Sequence, residues 1–393
     1  MARLLSVNEA KVMAVIASVA HGQMTLVQAR EHLGVNASTF WRMRERFRRQ
    51  GVDGLAHGLR GRSGNRKPDR AVRDAVCALY TLEYAPFGFG ARHFWEEASA
   101  QFPRAVPYST TWRWLRNAGL TQRSRRSVKH RSRRPRRACF GELIQMDTSI
   151  HDWFSTGEKA CLVSAIDDAT GDVIGAFFNR TDTVLANMHV LKSIFEEYGL
   201  PIALYVDRSP IFKFTRTGFG RVMRHTGHRI VLTQVEQALK TLGVELIHAF
   251  TPQAKGRIER SFGTWQARLV PELAKAGIRS VDDANAFINA TFRAKFNARF
   301  AHKPASSDSA FVRLHGVDLD RILAERYPRT VTNDHVISCA PAGFKAKILP
   351  SKTRQSYAKT KVEVLRHIDG TCSIWRGDEK LEYQPIETPA LQF

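Results

Sequence analysis

The sequence predicts a multidomain chain: all-α helix-turn-helix modules at the amino end, an α/β core on a mixed sheet, and a small β domain at the carboxyl end. Three observations carry this. Apolar residues recur at helical spacing through the first third of the chain, short apolar runs alternate with amphipathic stretches between residues 140 and 275, and past residue 329 short strand-like runs are separated by turn residues. The boundaries read 1–60 and 61–121 for the two helical modules, 122–139 for a basic linker, 140–275 for the core, 276–328 for a helical extension and 329–393 for the β domain. A chain of 393 residues and 44.4 kDa is long enough for several cores.

Residues 8–20 read as a first helix, with Val12, Val15, Ile16 and Val19 on one face. Thr25 caps a second helix carrying Val27, Ala29 and Leu33, and Gly34-Val35-Asn36 makes a tight turn. A third helix, 37–50, turns Phe40, Met43 and Phe47 inward and leaves Ser38, Thr39, Arg42, Arg44, Arg46, Arg48 and Arg49 on or near its outer face. This is a helix-turn-helix with a basic third helix, shaped for a DNA major groove; an ordinary bundle with a solvated basic face is the competing reading. Residues 54–68, with Arg60 and Arg62, read as a flexible basic linker able to follow a DNA backbone. A second helical module spans 69–84, 90–101 and 108–118, the last helix begun by Ser109 as cap. It presents Thr110, Thr111, Arg113 and Arg116 around Trp112, Trp114 and Leu115; the two tryptophans cannot share one helical face, which leaves one of them partly exposed, although a core role for both is the more common outcome. Residues 122–138 are the densest run of positive charge, including Arg125, Arg126, Arg133 and Arg134. Such a run is a solvated tether when free and orders against phosphates when bound.

In the core, residues 141–147 and 201–207 are apolar runs that read as buried strands ending in Asp147 and Asp207. A hairpin, 161–167 and 172–178, is closed by Asp168-Ala169-Thr170-Gly171, where an acid is common for structural reasons. An amphipathic helix, 183–198, is stopped by Gly199-Leu200-Pro201, and Glu259 follows a Pro252–Gly256 turn into another. A carboxylate at the end of a buried strand is costly to desolvate unless a positive group meets it, and a divalent metal is the natural counterion for Asp147, Asp207 and Glu259. His151 and Asp152 lie just past Asp147, either supporting that site or forming a capped turn beneath Trp153 and Phe154. Residues 281–300 read as helical. The tail shows four short strands, 345–349, 361–366, 372–375 and 381–383, read as an SH3-like barrel.

Lys and Arg outnumber Asp and Glu by 60 to 37, a formal charge of +23 with a pI near 10.3, which points to a polyanionic partner and best to nucleic acid. No apolar stretch is long enough for a membrane span, and residues 1–20 are interrupted by Asn8, Glu9 and Lys11, so they read as an amphipathic helix and not a signal peptide. The five cysteines are scattered without a C-x-x-C pair, which argues against a structural zinc site and suits a reducing cytoplasm.

The stretches GELIQMDTSIHDWF, LVSAIDDATGDVIGAFF, LYVDRSPIF, LTQVEQALKTLGVELI and TPQAKGRIERSFGTWQARLV together resemble bacterial insertion-sequence transposases of the ISNCY type, within the DDE (retroviral-integrase) superfamily. The resemblance runs over most of the chain. It implies a ribonuclease H-like integrase core in which the first and fourth strands are parallel neighbours, with Asp147, Asp207 and Glu259 as catalytic residues. They would hold two Mg2+ ions, replaceable by Mn2+, for cleavage and strand transfer. It also implies double-stranded DNA at transposon ends and targets as partner, an oligomer of the chain on that DNA, no other cofactor, and a bacterial cytoplasmic location. Lys255, Arg257 and Arg260, which flank Glu259, become candidates for clamping phosphates. Two departures stand out: the interval from Asp207 to Glu259 is longer than usual in the wider superfamily, and VDRSPIF replaces the more usual Ser-Asp-Lys-His, leaving Arg208 to substitute for the charge. A domesticated, inactive DNA-binding regulator and a ribonuclease H-type nuclease are the alternatives.

Overall fold

The computed structural model of the chain describes residues 7–56, 70–122, 134–214, 232–249, 256–339, 343–351 and 354–386. They fall into two units, Met1–Val72 and Arg73–Phe393. In the first, α1 (Val7–Ala20), α2 (Leu26–Leu33) and α3 (Ala37–Gln50) close on Val15, Ile16, Ala29 and Phe40. Thr25 and Gln28 form a capping box at the start of α2, and Gly34, at φ 63°, ends it in the left-handed conformation. Asn36 then caps α3 by accepting the Thr39 N–H at 2.8 Å. The expected helix, turn and basic helix are all present.

The second helical module consists of α4 (Arg70–Glu83), α5 (Ala91–Ala98) and α6 (Tyr108–Asn117). Tyr80, Tyr84, Phe89 and Phe94 pack edge to face at its centre. Two expectations fail in α6. Its cap position is Pro107, which offers no side-chain hydrogen bond, so Ser109 lies inside the helix; proline suits the helix start because no N–H is needed there. The buried residues are Thr111 and Leu115, while Trp112 and Trp114 are both half-buried, since two residues apart on a helix cannot face one core.

The core sheet comprises β1 (Leu143–His151), β2 (Ala160–Asp167), β3 (Val173–Asn179), β4 (Ala203–Val206) and β5 (Glu245–His248), in the order β3-β2-β1-β4-β5. The first three pair antiparallel, whereas β1, β4 and β5 are parallel, so the sheet is mixed as expected. Strand β1 runs four residues past Asp147, which therefore sits within the strand and not at its end. On one face Ile144, Met146, Val163 and Ala165 pack under α7 (Val184–Glu197) and α8 (Gln234–Leu242). Glycine at position 175 makes this possible, because a Cβ there would lie 2.8 Å from Val190 and 3.0 Å from Ile194 of α7. On the other face Leu162, Ile166 and Phe178 meet α9 (Gly256–Lys275) and the pair α10 (Val281–Phe287) and α11 (Arg293–Phe300), which are joined by a π turn at Ile288–Phe292.

After the short α12 (Leu319–Ile322), the tail forms two small antiparallel sheets over one core. One has the order β11-β10-β9-β6 and the other β12-β8-β7. The strands are β6 (Glu325–Thr330), β7 (Val336–Cys339), β8 (Phe344–Ile348), β9 (Lys361–Arg366), β10 (Cys372–Arg376), β11 (Glu379–Leu381) and β12 (Tyr383–Ile386). The run expected as one strand at 381–383 is split, because the chain leaves β10 for β8 at Glu382. Strand β6 escapes sequence reading because it contains Pro328, which is tolerated on an edge strand. No helix among the described residues is long and apolar enough to cross a membrane.

Trp265 is fully buried and packs against Phe292 and Phe296, fixing α9 to the helical extension. Trp265→Ala should cost about 3–5 kcal/mol, read as a lowered urea midpoint followed by tryptophan-independent far-UV circular dichroism.

Candidate functional site

The register between β1 and β4 decides where the two aspartates stand. Leu143 pairs with Ala203, Ile144 with Leu204 and Gln145 with Tyr205. Carried two residues further, the same register sets Asp147 beside Asp207, the first residue past β4, at a spacing of about 4.8 Å between strands. Both side chains are half-buried. Because side chains alternate along a strand, Asp147 shares its face with Gln145 and Ser149, opposite the face of Ile144 and Met146.

Helix α9 lies along that face. At one end Arg257 reaches Asp168, which also accepts from Gln145 Nε2 at 2.6 Å; further on, Gln266 donates to Ser149 Oγ at 3.3 Å. Nine residues of helix and four of strand both span about 13 Å, so α9 keeps pace with β1 past Asp147. Glu259, Gly263 and Gln266 share one helical stripe, while Ile258, Phe262 and Trp265 form the buried one. Glu259 is exposed, and a Cβ at Gly263 would meet nothing within 4 Å among the described residues, so the stripe is open at Glu259 and Gly263 before it reaches the sheet at Gln266.

Sequence reasoning missed a fourth carboxylate. Asp182, just before α7, accepts from Asn187 Nδ2 at 2.8 Å and Thr148 Oγ1 at 3.2 Å. Burial pushes its carboxyl above the ordinary value of 3.8; those two hydrogen bonds oppose the rise, and the negative charges of Asp207 and Asp147 add to it. A signal existed in the sequence, an acid directly before the helix cap Thr183, but such acids are common at helix starts. His248 on β5 was also missed; its ring spans the Asp207 carbonyl and the Glu236 carboxylate, 3.4 Å from each.

The donor set suits a hard divalent cation, which prefers several oxygens. Two neutral atoms point the same way: Ser164, directly across from Asp147 on β2, and Gln145 each bury a side-chain oxygen that has no hydrogen-bond partner among the described residues. The carboxylates of Asp147, Asp207 and Glu259 are not drawn into mutual ligating distance. Among the described residues the group that meets within 4.8 Å is His93, Glu97 and Glu272. That cluster already holds a cation, since Lys295 Nζ lies 2.6 Å from Glu97 and 3.4 Å from Glu272.

The remaining candidates divide sharply. Asp168 is fully buried and bound by arginines, in keeping with a structural role. Asp152 caps a turn through the Thr156 and Gly157 N–H groups at 3.0 and 2.9 Å, above buried Trp153 and Phe154. Arg257 and Arg134 point at Asp168, while Arg260 is exposed. On α3, Thr39, Arg42, Arg46 and Arg49 line one side, with Ser38 exposed in the first turn and Arg44 over the Trp41 ring. Glu45, held down to about 2 by hydrogen bonds from Arg48 and Arg49, pairs with Arg49. On α6, Arg113 is exposed and Thr110 half-buried. Arg60, Arg62, Arg125, Arg126, Arg133 and Lys255 lie outside the described residues.

In sequence, the profile of the homeodomain-like domain matches residues 6–56. The chain is 33% identical over 300 residues to y4bF of Sinorhizobium fredii, a protein named as a transposase, in a match covering 75% of this chain. It is 29% identical over 402 residues to the transposase for insertion sequence IS1202 of Streptococcus pneumoniae, covering 92% of this chain and 83% of that one. The chain is thus similar in sequence to bacterial insertion-sequence transposases. It spans 62% of the length of y4bF. Among solved structures, this chain is similar to a chain of the simian T-cell lymphotropic virus intasome in complex with PP2A regulatory subunit B56 gamma, with a TM-score of 0.32 and 12% identity over 79% of this chain and 96% of that one. It is also similar to the catalytic core domain of BIV integrase, with a TM-score of 0.27 and 20% identity over 38% of this chain and 85% of that one.

Asp182→Asn keeps an acceptor for Thr148 and Asn187 but removes a charge. A carboxyl raised in the folded state weakens folding above its folded value and is without effect below 3.8. In metal-free buffer the variant should therefore be more stable than the parent at pH 7, with the gain vanishing as the pH falls toward 3.8, measured by urea titration at a series of pH values.

Proposed function

We propose that the chain is a DNA transposase of the ISNCY type, which binds the terminal inverted repeats of an insertion sequence and cuts and joins DNA as a polynucleotidyl transferase. The observation that supports this most is the β1–β4 register, which aligns Asp147 with Asp207 on the face along which α9 carries Glu259. These three carboxylates would hold Mg2+, with Mn2+ as substitute, and the bound metal would activate an attacking hydroxyl and stabilise the leaving oxygen. Asp147 and Asp207 fix two ligand positions on the sheet, and Glu259 supplies the third from the helix. Ser164 and Gln145 offer neutral polar atoms beside Asp147, where ordered water would be held. The open stripe at Gly263 leaves room for a strand of DNA beside Glu259. One set of residues serves both steps, because only the nucleophile changes from water to a 3′-hydroxyl. In the first unit, exposed Arg42 and Arg46 on α3 would read bases, since a basic helix in the major groove carries sequence information that phosphate contacts do not.

Asp147→Asn, Asp207→Asn and Glu259→Gln should each abolish Mg2+-dependent cleavage of a duplex ending in the flanking inverted repeat, while binding to that duplex stays within about twofold, as a transition-state role requires. Substantial cleavage by any of them, assayed on denaturing gels, removes that residue from the site.

Arg42→Ala with Arg46→Ala should remove most of the preference for the repeat over scrambled duplex, at about 1–3 kcal/mol per lost base contact. Competition mobility-shift assays measure this; a preference that survives moves recognition to α6.

A further inference from the structure

A buried anion lies on the same side of the sheet, outside the acidic pair. Asp168 is 0% exposed in the turn between β2 and β3, and donors from three separate stretches of chain enclose its carboxylate. Oδ1 accepts from Arg134 at 2.5 Å, from Gln145 at 2.6 Å and from Arg257, while Oδ2 accepts the Arg137 N–H at 2.9 Å. Its backbone carbonyl accepts from Arg136 at 2.9 Å, and Arg257 donates its other arm to the Arg134 carbonyl. Residues 134–137 are the end of the basic linker, Gln145 stands two positions before Asp147 on the same face of β1, and Arg257 stands two positions before Glu259. One carboxylate therefore joins linker, strand and catalytic helix.

The first turn of a helix has backbone N–H groups without intrahelical partners and is the part that frays most readily. Here that turn carries Glu259, which does not meet Asp147 and Asp207 in one group within 4.8 Å. Beside the buried Ile258, its polar tie to the sheet at this end is the Arg257–Asp168 pair, and a guanidinium held by a buried carboxylate has a defined direction that an exposed pair lacks. Two guanidiniums on one carboxylate also leave local positive charge in excess, so a phosphate can approach Arg134, whose side chain is 45% exposed, without displacing Arg257, which is 15% exposed.

We infer that Asp168 is a positioning residue for the acidic site: it sets where Glu259 stands relative to Asp147 and Asp207, and makes that placement depend on the linker end being docked. The inference rests on the reading of those three carboxylates as a metal site. The test uses the full chain and Mn2+ alone, with free Mn2+ followed by electron paramagnetic resonance and folding checked by near-UV circular dichroism. Asp168→Asn should weaken Mn2+ binding about 10-fold or more, the scale of an outer-shell partner. Arg257→Met, which leaves the buried acid in place, should do the same, and the double variant should be no weaker than Arg257→Met alone, because both act through one contact. Trypsin should cut the linker end at residues 134–137 faster in Asp168→Asn than in the parent. Asp147→Asn separates the two ideas. If it loses Mn2+ binding while folded Asp168→Asn and Arg257→Met bind as the parent does, the positioning role is overturned and the metal site stands. If Asp147→Asn retains Mn2+ binding, the metal-site reading falls and the inference with it. Additive losses in the double variant also overturn the positioning role.

Discussion

The pleat of β1 is the constraint on which the rest depends. Its even-numbered residues, Ile144 and Met146, are sealed into the core under α7, so its odd-numbered residues must all face α9. A shift of one residue in register would bury Asp147 among leucines and isoleucines and set Met146 in the cleft. Pairing to β2 on one side and β4 on the other locks the strand twice, and polar side chains at Gln145 and Ser149 are matched by partners on Asp168 and α9. The site is thus a by-product of a well-determined hydrophobic face.

Much of this was legible in the sequence, and the rest was hidden for identifiable reasons. The second helix announced itself by its capping residue Thr25, which accepts the Gln28 N–H, whereas Asn36, read as part of a turn, and Thr183, read as the first helical residue, are caps that only the structure shows. Asp147 and Asp207 were legible because an acid at the edge of an apolar run is conspicuous. Asp182 was not, since its importance comes from nearness to two charges distant in sequence, Asp147 on β1 and Asp207 just past β4. The enclosure of Asp168 was equally invisible: its partners Arg134 and Arg257 are 34 and 89 residues away in sequence. In α6 the tryptophans misled because large aromatic residues look like core, whereas a single helical face chose Thr111 and Leu115. In the tail, Pro328 masked an edge strand.

Two acids show how burial and pairing compete. For Glu96, on α5, burial pushes the carboxyl up, but hydrogen bonds from Arg92 and Arg268 and the charges of Arg268 and Arg299 win, and the net shift is downward. It therefore supports folding above the ordinary carboxylate value of 4.5 and loses that contribution as the pH falls through its lower folded value. For Asp182 the neighbours are acids, and burial prevails. One arrangement holds structure together; the other stores an unfavourable charge where a cation would relieve it.

The second helical module is fastened to the far end of α9 and to α11. Arg268 meets Glu96 at 2.6 Å, Glu272 meets His93 at 2.9 Å, and Lys275 stands over the Tyr84 ring at 3.3 Å. A helix of 20 residues is about 30 Å long. Treated as a stiff lever, a tilt of about 5° imposed at its last turns would carry its first turn through roughly 2.6 Å, on the scale of a hydrogen bond. Load taken up by the helical module thus has a path along α9, besides the one into α11, to the glutamate near its opposite tip.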